Sequence, residues 1–89
     1  MENRVGVIGI IITDREKQAH KVNEILADFG DLIVGRMGIP YREKNISVLA
    51  LIVDGTTDAL GALTGRLGRV PGVRVRSALI ATASPRAEE

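Results

Sequence analysis

Asp54–Val75, DGTTDALGALTGRLGRVPGVRV, is the stretch whose reading decides the fold. It contains a strand exit, an amphipathic helix, a turn punctuated by glycine and proline, and the start of another strand. Thr56, Thr57 and Asp58 all suit a helix N-cap, and the spacing places the helix start near Thr57. Leu60, Leu63 and Leu67 then form one apolar stripe, Gly68 closes the helix, and Pro71-Gly72 turns the chain. Gly61 and Gly65 lie inside this helix, where each costs about 1 kcal/mol relative to alanine. Such a cost calls for compensation, and two sources compete. One is close packing of a neighbouring backbone, which the G-x-x-x-G spacing permits on steric grounds. The other is a ligand lip built from Gly61, Thr64 and Gly65, with the Thr64 hydroxyl meeting a small molecule. The spacing favours packing.

Working outward, Val5–Ile12 (VGVIGIII) and Ile46–Val53 (ISVLALIV) are apolar at odd and even positions alike. That pattern marks central strands covered on both faces. Gly6 and Gly9 point to a bulge or a tightly packed neighbour. Thr13-Asp14-Arg15-Glu16 has the form of a T-x-x-E capping box. A helix follows with Ala19, Val22, Ile25, Leu26 and Phe29 on one stripe and Gly30 as its stop. Leu32–Met37 reads as a strand ended by Gly38-Ile39-Pro40, and Tyr41–Asn45 as a polar hairpin connection. In the last strand Val73, Val75, Ser77 and Leu79 alternate with Arg74, Arg76, Ala78 and Ile80, and the arginines mark it as an edge strand.

The order is therefore βαββαβ, an α+β ferredoxin-like sandwich: a four-stranded antiparallel sheet with two helices on one face. Residues 1–83 make one domain, residues 84–89 (SPRAEE) a flexible polar tail, and Met1–Arg4 a frayed head. The helices cover one face only, yet the central strands are apolar on both. An uncovered face of several hundred Å² exceeds what most monomers expose. Burial against a second copy, face to face or edge to edge, is the economical answer and predicts a homo-oligomer, dimer or tetramer.

Composition excludes several function classes. With 12 basic and 11 acidic residues the net charge is +1, so no global field draws in nucleic acid. Tyr41 and Phe29 are the sole aromatics, too few for a stacking platform. The chain has no cysteine, hence no disulfide, thiolate metal site or thiol nucleophile. Val5–Ile12 is too short to span a bilayer and lacks a cleavage site, so no membrane association and a cytoplasmic location are expected. His20, the one histidine, supplies at most one metal ligand, and no serine–histidine–acid set is visible. A dimeric α+β enzyme of the oxygenase-like barrel type would have only His20, Tyr41 and Phe29 to line its pocket. The expectation is a non-enzyme without cofactor or metal. Arg36, Gly38, Arg42 and Asn45, around the hairpin, are the candidate anion- or partner-binding residues, against the plainer reading of a solvated hairpin tip.

The segments Thr13–Lys17, Val22–Leu26, Arg36–Asn45 (RMGIPYREKN) and Gly61–Gly68 (GALTGRLG) with Gly72–Val75 resemble the iron-only hydrogenase system regulators over residues 5–80. These are short ACT-like proteins related to the C-terminal domain of nickel-responsive repressors. The resemblance implies an ACT-like regulatory, effector-sensing or partner-binding module, with a small-molecule effector and a protein partner as its candidate partners. Nickel-responsive repressors use several histidines and a cysteine, which this chain lacks. Amino-acid-binding ACT domains carry a Pro-Gly turn after the first strand, where this chain has Thr13-Asp14-Arg15. The alternative is a structural or assembly-interaction protein with no small-molecule site.

Overall fold

A computed structural model describes residues 3–82, so the expected tail 84–89 lies outside the described residues. Strands β1 (Asn3–Ile12), β2 (Ile33–Tyr41), β3 (Ile46–Thr56) and β4 (Val73–Thr82) alternate with helices α1 (Arg15–Asp28) and α2 (Thr57–Gly68). Short 3₁₀ turns occupy Gly30–Leu32 and Arg42–Lys44. The four strands form one antiparallel sheet in the order β2-β3-β1-β4. The two-faced apolar segments are thus the central pair, and the arginine-bearing β4 is an edge.

Alternation along the strands divides the sheet into two faces. Ile8, Ile10 and Ile12 of β1 and Leu49, Leu51 and Val53 of β3 point to the helices and are buried. Val22, Ile25 and Leu26 of α1 and Leu60, Leu63 and Leu67 of α2 close over them, with Val70 and Val73 completing the core. Among the described residues no polar or charged side chain is buried, and the buried core side chains are all aliphatic, with Phe29 packed at their margin.

Several local expectations change in the fold. The head does not fray at residues 3–4: Asn3 pairs with Thr56 and Thr82, and the Arg4 Nε–H donates to Thr57 Oγ1 at 3.2 Å. The T-x-x-E capping box does not form. Asp14 is the N-cap, without a side-chain cap bond, and the Thr13 N–H and Oγ1–H both donate to the Gly72 carbonyl, at 2.8 and 2.9 Å. Gly72, at φ 78°, turns the β4 approach so that its carbonyl meets Thr13, and this tertiary partner displaces the local cap. Strand β2 runs on through Gly38-Ile39-Pro40 to Tyr41 instead of ending at Met37. It is an edge strand, where a proline lacking an N–H is tolerated.

The most consequential change concerns Gly61 and Gly65. A Cβ at either would meet nothing within 4 Å, so they do not serve close packing within the chain. They lie on the solvent side of α2, opposite the leucine stripe. The tight approach is at Gly6, where a Cβ would collide with the Ala78 carbonyl and lie 2.8 Å from Leu79 Cα.

Candidate functional site

The sequence-derived candidates fall into separate places. Arg36 and Gly38 of β2 line a cleft of about 240 Å³ between α1 and the β2 edge, with Ala19, Asn23, Pro40 and Ser47 around it. The cleft exists because α1 packs over the central strands and leaves the helix side of β2 partly uncovered. Arg36 donates from a terminal guanidinium nitrogen to Asn23 Oδ1 at 3.1 Å, which spans the opening. Its remaining N–H groups can serve a carboxylate or phosphate. A Cβ at Gly38 would lie 2.6 Å from Leu49 Cδ2, so a larger residue there would require the leucine side chain to shift.

Arg42 and Asn45 are not brought into this cleft. Arg42 opens the 3₁₀ turn between β2 and β3, and Asn45 ends it in the left-handed region at φ 57°, donating its backbone N–H to the Arg42 carbonyl at 3.1 Å. Asparagine suits that conformation, so its place has a local structural reason. Thr64 donates to the Gly61 carbonyl within α2 at 3.2 Å. It borders a shallow hollow along the β4 edge together with Gly68, Arg74 and Arg76. His20 faces solvent and pairs with Glu24 one turn on, at 3.4 Å. Among the described residues no group of three or more His, Cys, Asp or Glu side chains converges as a metal site. Among the described residues no helix is long and apolar enough to cross a membrane.

Sequence reasoning missed Asn23 and Ser47 as cleft residues, because the crossing of α1 over β2 is a tertiary property. Most of the exposed large apolar side chains gather on the sheet face away from the helices. Val5, Val7 and Ile11 of β1, Val48 and Ile52 of β3, Met37, Ile39 and Tyr41 of β2, and Ile80 of β4 share it. Met37 is 64%, Ile39 56%, Ile52 50% and Ile80 73% exposed. Arg74 and Arg76 share this face opposite Ile11 and Gly9, and Asp54 lies opposite Val5.

Fold and surface together define a small ferredoxin-like α+β module that presents an uncovered apolar sheet. The chain belongs to the TM1266-like family, described as "Iron-only hydrogenase system regulator, putative", whose model matches residues 4–77. Among solved structures it is similar to the uncharacterized protein TM1266 from Thermotoga maritima, at 39% identity and TM-score 0.84, over 89% of this chain and 99% of that one. Fold likeness extends to the apo form of CPII, a nitrogen regulatory PII-like protein from Thiomonas intermedia K12, at 12% identity and TM-score 0.58, over 92% and 95% of the two chains. It also extends to an unknown protein from Galdieria sulphuraria, at 16% identity and TM-score 0.59, over 94% of this chain and 49% of that one. Comparison with curated proteins finds no match.

Proposed function

We propose that this chain is a self-associating regulatory module of the iron-only hydrogenase system that senses a small effector. The observation that carries the reading is the open sheet face. Its exposed Val, Ile and Met side chains form a contiguous apolar surface, and burying it against a second copy removes several hundred Å² from water at roughly 25 cal/mol per Å². A second copy fits because it presents the same apolar side chains in return, and the described residues of the face include few charges, Arg74, Arg76 and Asp54. The α1–β2 cleft, with Arg36 braced by Asn23, is the effector site of this reading. CPII, which shares the fold, has been solved bound to ADP, AMP and bicarbonate, so a fold of this kind accommodates small ligands. An effector acts by binding one subunit arrangement better than another.

Sedimentation velocity at micromolar concentration tests the assembly. The wild-type chain is expected to sediment as a dimer or larger. Ile52→Lys, which places a charge in the middle of the apolar face, is expected to sediment as a monomer with unchanged far-ultraviolet circular dichroism. A monomeric wild type would refute the reading.

A further inference from the structure

Gly9 occupies the middle of central strand β1, where glycine lowers strand stability. Unlike Gly6, it has no steric reason within the chain. A Cβ at Gly9 would meet only the Arg76 carbonyl, at 3.9 Å, an ordinary contact distance. An open hollow of about 340 Å³ lies on this face, with Gly9, Ile11, Val48, Arg74 and Arg76 among its lining. Both arginines are exposed, and among the described residues neither is in an ion pair. Arg76 donates one N–H to the Val75 carbonyl at 2.9 Å, which leaves the rest of its guanidinium for a ligand.

The charge balance of the face bears on what could enter this hollow. Among the described residues Asp54 is the one acidic residue on it, and it lies level with Val5, four residues along β1 from Gly9 and about 13 Å away at strand spacing. It is too distant to neutralise the arginines of its own copy. Two stacked faces carry two arginines and one aspartate each, which leaves two positive charges in excess in a contact that is otherwise apolar. Desolvated charges of one sign oppose such a contact unless a counter-charge enters with them.

We propose that the Gly9 hollow binds a small multivalent oxyanion between Arg74 and Arg76, and that its occupancy promotes stacking of a second copy over the open face. This rests on the self-association reading and adds to it the chemical class of a ligand at the interface. Guanidinium groups suit phosphate and carboxylate oxygens, and the glycine lets the anion sit below the level of the surrounding side chains. By linkage, an anion that binds the stacked pair better than the single copy tightens the pair by the same factor.

The test is sedimentation velocity with inorganic pyrophosphate against sodium chloride at equal ionic strength. Pyrophosphate is expected to lower the dimer dissociation constant about tenfold, within the usual range of such couplings. The double variant Arg74→Gln/Arg76→Gln is expected to self-associate more tightly without anion and to lose the pyrophosphate response. Equal effects of the two salts, or an undiminished response in the variant, would overturn the anion site while leaving self-association standing. A monomer under every condition, in wild type and variant alike, would overturn both.

Discussion

At the residue scale, the glycines separate into those that the chain needs and those that it does not. Gly6 is compelled: β4 passes so close that any Cβ collides with backbone atoms of Ala78 and Leu79, which cannot swing away as a side chain can. Gly6→Ala is therefore expected to destabilise the fold by about 2 kcal/mol, as overpacking at a rigid site does. Gly61 and Gly65 meet open space on the exposed side of α2, so alanine at either is expected to stabilise by about 1 kcal/mol through helix propensity. Urea denaturation of the three single variants checks both signs. A destabilising Gly65→Ala would show that another molecule approaches this helix.

At the element scale, the two helices begin differently. The N-cap of α2 is local: Thr56 Oγ1 accepts the Ala59 N–H at 3.1 Å, three residues on. That of α1 has no side-chain bond, because Thr13 is engaged by the Gly72 carbonyl across the top of the sheet. Thr56→Ala is expected to cost about 1 kcal/mol, measured as a lower urea midpoint with an unchanged slope. The far end of α1 is tied to α2 instead. Arg66 pairs with Asp28 at 3.1 Å and lies over the Phe29 ring at 5.4 Å. Both members of the ion pair are substantially exposed, so its contribution is small beside the leucine packing beneath it.

At the scale of the whole molecule, regulation requires that a ligand distinguish between arrangements of the subunits. A thermal-shift screen of amino acids, nucleotides and divalent metals is expected to find a compound that raises the melting temperature of the assembled protein. Arg36→Gln is expected to abolish that shift while leaving the unliganded melting temperature within about 2 °C, since exposed substitutions cost little. A full shift in the variant would move the effector away from the α1–β2 cleft. Much of the molecule was legible in the residues themselves. Apolar runs at Val5–Ile12 and Ile46–Val53 identified the central strands, the Leu60-Leu63-Leu67 stripe identified the buried side of α2, and Asn45 marked the hairpin turn. These follow from periodicity and local backbone preference, which act over a few residues and are written in the chain. The candidate site was legible only in part. Arg36 and Gly38 were visible, but their meeting with Asn23 and Ser47 depends on how α1 crosses the sheet. The Thr13-x-x-Glu16 signal failed because a carbonyl more than fifty residues away competed for the threonine. By itself, then, the sequence determined the strands, the helices and the apolar surplus that one helical layer cannot cover. Only the tertiary structure decided which glycines face backbone and which face open space, and that Arg74 and Arg76 stand beside the Gly9 hollow, because those relations depend on packing between distant segments.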